Sequence, residues 1–256
     1  MYSLQENIIG VVGGMGPQAG QALFADIIRN TLANCDQEHL PVIVMSFPGQ
    51  FADRTAFLNG DTVINPAHNI VRVIDRLETA GALTVGIACN TSHSPKIYDV
   101  VVEQLCRKKS RVQLLHMPLE TCRYVTENFP AASRIGLMTT NGTYRSGIYR
   151  ALLLQSGYEP IVPDMAFQIH VIHRMVYDPV FGIKSNPDKI STEVGTLWEK
   201  AMQYFRRRHC EAVVLGCTEF SLVSDEHNKD IRFVDSTTVL ARALIRETNP
   251  DLLKPE

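Results

Sequence analysis

Two stretches of this chain recur at almost the same interval. Ile9-Gly10-Val11-Val12, followed by Gly16, matches Ile135-Gly136-Leu137-Met138, followed by Gly142, at an offset of 126 residues. Ala82–Cys89 (ALTVGIAC) matches Cys210–Cys217 (CEAVVLGC) at an offset of 128. Both matches fall where an apolar run gives way to a polar loop. Buried parallel strands resemble one another in their Val, Ile and Leu content, so the apolar residues alone prove little. Cysteine, however, is only 6 of 256 residues, and one stands at the same place past the strand in both copies. The simplest account is a duplicated unit, with four strands in each half.

The rest of the chain fits that frame. Short Val/Ile/Leu runs alternate with longer stretches of helical period, the pattern of an α/β protein whose parallel strands are buried on both faces. Strands are predicted at Ile8–Val12, Pro41–Ser46, Leu83–Ala88, Val112–His116, Arg134–Met138, Pro160–Val162, Ala212–Leu215 and Ile231–Val234. Helices are predicted at Pro17–Leu32, Ala67–Ala80, Ser94–Cys106, Leu119–Asn128, Tyr144–Ser156, Ala166–Tyr177, Ile190–Arg208 and Thr237–Thr248. No low-complexity linker separates them, and the halves divide as 1–117 and 118–256, with the terminal helices able to pack on the opposite half.

With 256 residues, 45% hydrophobic and 20% charged, the chain can bury a sizeable core without disulfides or a structural metal. Its net charge is −2 and its densest basic runs, Arg107-Lys108-Lys109 and Arg206-Arg207-Arg208, are three residues long, which argues against a nucleic-acid surface. The first basic residue is Arg29, and no apolar stretch approaches the roughly 18 residues of a membrane span. A cytoplasmic location, with no membrane partner, is the expectation. The six cysteines form no C-x-x-C pair, so a disulfide framework or zinc knuckle loses support. Apart from Cys89 and Cys217, they are expected to be small buried hydrophobes.

In open parallel sheets, ligands sit beyond the carboxyl ends of the strands, where helix N-termini and loop amides converge. Cys89 opens Cys89-Asn90-Thr91-Ser92-His93 there, and Cys217 opens Cys217-Thr218-Glu219. A thiol at the positive end of a helix has a lowered pKa and a larger thiolate fraction. Two such groups facing one another across a cleft suit inversion of a carbon centre, one thiolate taking a proton from one face while a thiol delivers one to the other. The charge that develops needs preorganised donors. Gly13-Gly14-Met15-Gly16-Pro17 offers backbone amides, and Asn90, Thr91, Thr140, Asn141, Thr143 and Thr218 offer side chains. The same glycines fit the loose dinucleotide pattern G-x-G-x-x-[GA], but the next strand ends in Ser46-Phe47-Pro48 and not in an acidic residue. A tight turn with Pro17 at the first helical position is expected in either case.

Arg54 and Lys184 lie in loop-like surroundings. Solvated charge is the default for such residues, and recognition of a carboxylate is the functional alternative. His93 is expected to start a helix near the site; neither a carboxylate nor a further metal ligand stands beside it in sequence. His170 and His173 read as packing or surface residues.

Taken together, these motifs are specific. Gly13-Gly14-Met15-Gly16-Pro17, Asp53-Arg54-Thr55, Ala88-Cys89-Asn90-Thr91, Thr140-Asn141-Gly142-Thr143, Lys184 and Leu215-Gly216-Cys217-Thr218-Glu219 resemble the aspartate/glutamate racemases, especially the aspartate racemase branch, over almost the whole chain. The chain departs from the commonest pattern at Phe51-Ala52 and at Thr139-Thr140-Asn141. The resemblance implies two α/β domains related by a pseudo-twofold axis, an active site in the cleft between them, two catalytic cysteines, and no cofactor or metal. It also implies that Arg54 and Lys184 meet the substrate's side-chain carboxylate, and that Cys217 is the base toward the L-enantiomer and Cys89 toward the D-enantiomer. A homodimer is the expected assembly. Met15, Gly16, Asn90, Thr91, Thr140, Thr143, Thr218 and Glu219 are the further residues expected on an acidic amino-acid substrate, aspartate above glutamate. The alternatives are a dicarboxylate isomerase or decarboxylase of the same superfamily, and a non-catalytic amino-acid-binding protein.

Overall fold

The structure, a computed structural model, describes residues 7–186, 189–223 and 231–255. Among them, β1 (Ile8–Gly13), β2 (Val42–Ser46), β3 (Ala82–Ile87) and β4 (Gln113–Leu115) form a parallel sheet in the order β2-β1-β3-β4. A second parallel sheet holds β5 (Arg134–Thr139), β6 (Glu159–Ile161), β7 (Ala212–Gly216) and β8 (Arg232–Asp235) in the order β6-β5-β7-β8. Numbered from its own start, the second sheet repeats the order of the first. Every expected strand is present with its ends within a residue of the sequence reading; the central strands β1, β3, β5 and β7 are almost wholly buried, which gives them their strong apolar signal.

Backbone contacts divide the chain into two compact units, Met1–Glu120 with Thr237–Glu256, and Thr121–Ser236. The division falls inside the helix Met117–Asn128, and the last helix, Ser236–Thr248, belongs largely with the first unit. Its Leu240, Ala243 and Leu244 pack against Ile9, Val11, Leu23 and Ile27, sharing one sheet face with the helix Pro17–Asn30. Leu32 N donates to Leu252 O at 2.7 Å, and Lys254 N to Asn30 O at 3.0 Å, fastening the segment that follows. The opposite face is covered by the helices Ala67–Thr79 and Pro95–Arg107; Ile70, Ile74 and Leu77 supply the buried stripe of the former. In the second unit, Trp198, Ala201, Met202 and Phe205 of the helix Thr192–Arg206 pack on Met138, Val213 and Leu215. Each large side chain buried in this way contributes about 1.5–3 kcal/mol.

The repeated glycine of β1 and β5 has a packing cause. A Cβ at Gly10 would stand 2.9 Å from Val85 Cγ2, and one at Gly136 would stand 2.7 Å from Phe205 Cδ1 and 2.8 Å from Val213 Cγ2. The corresponding strands therefore meet the neighbouring strand and a covering helix closely enough to exclude any side chain.

Three elements differ from the sequence reading. The helix expected over Tyr144–Ser156 begins at Asn141 and is broken at Gly147, whose φ of 67° separates Asn141–Ser146 from Ile148–Gln155. The helix expected over Ala166–Tyr177 consists of Met165–Phe167, a π-helical turn Gln168–His173, and Arg174–Tyr177. Arg54 is not in a loop: it opens the short helix Arg54–Asn59, which Asp53 caps by accepting from Ala56 N at 2.8 Å. Two cysteines also depart from expectation, since Cys35 and Cys106 are exposed while Cys122 and Cys210 are buried.

Candidate active site

In the first unit, the chain leaves β1 through Gly14, whose φ is +92° and where a Cβ would meet Phe47 N at 2.8 Å. Only glycine suits that turn. Met15 follows, buried, and Gly16 precedes the helix Pro17–Asn30 with proline in its first turn. Arg54 fixes this loop from the side. Its Nη2 donates to Met15 O at 3.0 Å and its Nη1 to Ala52 O at 3.3 Å. Met15 is joined in turn to the cysteine segment, Ser92 Oγ donating to its Sδ at 3.5 Å. Met15, Gly16 and Arg54 are thus tied together, and Met15 meets the segment that carries Cys89, Asn90 and Thr91.

Cys89 follows β3 in extended conformation (φ −161°, ψ 110°), and Asn90–His93 form a 3-10 turn before the helix Pro95–Arg107. Asn90, Thr91, Ser92 and His93 are all buried. His93 Nδ1 lies 3.0 Å from Cys89 O, and its ring stacks on Tyr98 and meets His116 edge-on. A carbonyl only accepts, so Nδ1 carries the hydrogen. Burial, with the neighbouring His116, brings the His93 pKa down to about 3. The ring is therefore neutral at physiological pH and braces the cysteine backbone.

In the second unit, Cys217 follows β7 with φ −156° and ψ 129°, and Thr218–Leu222 form the 3-10 turn after it. The two cysteines therefore share one local geometry at equivalent strand ends. Beside β7, Thr140 stands at the N-cap position of the helix Asn141–Ser146 at the end of β5, and Thr140, Asn141 and Thr143 are buried. Two residues absent from the sequence reading of the site hold this turn. Gln168, fully buried, donates through Nε2 to Thr139 O at 2.8 Å and to Asn141 Oδ1 at 3.1 Å, and His173 Nδ1 accepts from Asn141 N at 3.3 Å. Gln168 and His173 are five residues apart. The wider π turn brings such positions to one side, and a reading at a period of 3.6 does not.

Around Cys217 the electrostatics are opposite to the sequence expectation of a lowered pKa. Its Sγ lies 2.8 Å from Glu219 Oε2, and Lys184 Nζ pairs with Glu219 Oε1. Burial first, and the Glu219 charge second, push the Cys217 thiol well above the ordinary cysteine range, while Lys184 works against them. Burial disfavours the Lys184 ammonium, but the charges of Glu219, Cys217 and Tyr177 prevail and its pKa is raised. Lys184 and Glu219, both expected on the substrate, are engaged with each other. Among the described residues no group of three or more His, Cys, Asp or Glu gathers as a metal-ligand set, and no helix is long and apolar enough to cross a membrane.

The fold and these segments define a duplicated parallel α/β protein that presents a thiol at the equivalent strand end of each unit. The sequence profile described as Asp/Glu/Hydantoin racemase matches residues 12–244, and the chain belongs to that family. It is 25% identical to the broad specificity amino-acid racemase RacX of Bacillus subtilis, over 93% of this chain and 96% of that one. Among solved structures it is similar to the aspartate racemase of Picrophilus torridus, with a TM-score of 0.78, 26% identity and 94% of each chain covered. A glutamate racemase of Francisella tularensis, solved in complex with D-glutamate, shares the fold at a TM-score of 0.67 and 17% identity, over 99% of this chain and 85% of that one. Family and relatives together support amino-acid racemase activity.

Proposed function

We propose that this protein racemises an acidic amino acid, aspartate above glutamate, by a two-thiol mechanism that needs no cofactor. The observation that carries the reading is the shared geometry of Cys89 and Cys217, each extended at the end of the third strand of its unit and each followed by a 3-10 turn. In this mechanism one sulfur takes the α-proton as a thiolate while the other, as a thiol, delivers a proton to the opposite face. The carbanion between these events spreads its charge into the α-carboxylate. Loop amides of Gly14–Gly16 and the donors at Asn90, Thr91, Thr140, Thr143 and Thr218 are the groups suited to receive that charge. By resemblance, Cys217 is the base toward the L-enantiomer and Cys89 toward the D-enantiomer. Lys184 is an ion-paired ammonium with a raised pKa, which makes it a poor amine for Schiff-base chemistry.

The preference for aspartate draws support from Arg54, from Lys184 and from the likeness to an aspartate racemase. Two observations favour a second reading of broader specificity: Glu219 already neutralises Lys184, which weakens its attraction for a second substrate carboxylate, and RacX is a broad-specificity relative. Enantiopure aspartate, glutamate and alanine in deuterated buffer separate the two, with optical rotation and the α-proton signal followed together. A kcat/KM for aspartate well above that for alanine supports the first reading, and equal values support the second. Loss of the α-proton with retention of configuration, or no exchange with any substrate, contradicts racemisation.

A further inference from the structure

The Cys217 thiol, the Glu219 carboxylate and the Lys184 ammonium form a continuous chain of contacts. Sγ lies 2.8 Å from Oε2 of Glu219, and Oε1 of the same carboxylate holds Lys184 Nζ. An ionised carboxylate can only accept, so the thiol hydrogen lies between sulfur and oxygen. Lys184 is placed by its backbone: Ile183 N and Lys184 N donate to Met175 O and Val176 O at 2.9 and 3.1 Å, in the helix Arg174–Tyr177. Its Nζ stands 5.5 Å from the centre of the Tyr177 ring, which stacks on His173 at 4.5 Å. The titratable groups around the thiol in this unit are therefore Glu219 from its own segment, Lys184 from the loop, and Tyr177 with His173 behind it from the adjoining helical segment. Glu219 keeps its charge despite burial, because the Lys184 ammonium and the Cys217 hydrogen bond together outweigh it.

We propose that Glu219 is a positioning residue for Cys217: anchored by Lys184, its carboxylate aims the thiol hydrogen and holds the proton on the Cys217 sulfur. Lys184 then acts on the reaction through Glu219. The catalytic consequence rests on the two-thiol reading above. When Cys217 gives its proton to the α-carbon, the electron pair of the S–H bond stays on sulfur and leaves a thiolate against a carboxylate. That like-charge contact is relieved when sulfur takes a proton back from the opposite enantiomer, so the same carboxylate that holds the proton also makes the thiolate a strong base.

The test reads the thiol directly and needs no turnover. Cys217 is alkylated with iodoacetamide across a pH series and the modified peptide is quantified by mass spectrometry, in the parent, Glu219→Gln, Glu219→Asp and Lys184→Met. Removing the repelling charge in Glu219→Gln lowers the midpoint of Cys217 alkylation by about one unit or more. Alkylation near neutral pH then rises by about tenfold per unit, since the thiolate is the reactive form. Lys184→Met moves the midpoint the other way, and Glu219→Asp returns it toward the parent. The limb of the kcat/KM pH profile due to Cys217 moves with the alkylation midpoint in Glu219→Gln. The opposite signs matter, because simple loosening of the fold speeds alkylation in both variants. A Cys217 midpoint that is unchanged in Glu219→Gln, or that moves in the same direction in Glu219→Gln and Lys184→Met, overturns the assignment. If the midpoints shift as stated while the parent exchanges no α-proton, the two-thiol reading falls and the assignment of Glu219 stands.

Discussion

Arg54 donates to the carbonyls of Met15 and Ala52 and is also a cation beside the glycine loop, so its replacement removes an anchor and a charge at once. A buried charge-assisted contact to a substrate carboxylate contributes about 1.5–3 kcal/mol. Arg54→Ala should therefore lower kcat/KM for every substrate through the loop, and lower it for aspartate by about a further 10-fold or more relative to alanine. An equal fall for aspartate, glutamate and alanine would show that Arg54 serves the loop alone. His93 yields a prediction of a different kind. Its neutral ring is favoured in the fold, with a pKa of about 3 against an ordinary 6.5. Between those values the unfolded chain binds a proton that the native protein does not, so this residue's contribution to stability is present above about pH 6.5 and lost as pH falls toward 3. Urea midpoints measured over that range should decline in the parent and decline less steeply in His93→Gln. The same slope in both would contradict a buried neutral imidazole.

The π turn Gln168–His173 shows how one element supports another. Gln168→Leu leaves Thr139 O and Asn141 Oδ1 without this donor, at a cost of about 1–3 kcal/mol. Urea denaturation should report that loss, and kcat should fall as well, because the turn carrying Thr140 and Thr143 loses its brace. A stable variant with full kcat would separate the π turn from the site. The sequence did not reveal this arrangement. Ala166–Tyr177 has apolar residues at helical spacing, and a single widened turn leaves most of that spacing intact while rotating Gln168 and His173 onto the same partner. Arg54 escaped for a related reason, since a six-residue helix opened by Asp53 is too short to show a period. The pairing of Lys184 with Glu219 was also invisible. The residues are 35 apart in sequence and meet only because the loop after the helix Arg174–Tyr177 is tied back to Met175 and Val176.

Over the whole molecule, the duplication was the part most open to reading from sequence, for a physical reason. Strands buried on both faces cannot tolerate polar interruptions, and Gly10 and Gly136 are each required by a close approach of a neighbouring strand and a covering helix, so the repeat survives as a visible pattern. The cysteines at 89 and 217 sit beyond β3 and β7 in one conformation, as the offset between them anticipates. The place where the compact units divide was less legible. The apolar stripe of Ser236–Thr248 fits any sheet face, and only the fold shows Leu240 and Leu244 against Ile9 and Val11.

The central claim is that the chain inverts an α-carbon with two thiols, and its most direct test replaces them one at a time. The parent, Cys89→Ala and Cys217→Ala are incubated separately with L-aspartate and with D-aspartate in deuterated buffer, with circular dichroism confirming that each remains folded. In the parent, both enantiomers should accumulate from either start, with a solvent deuteron at the α-carbon of the product. Each alanine variant should stop racemisation from both directions. Racemisation at the parent rate in either variant would contradict the account, because one remaining sulfur cannot serve both faces.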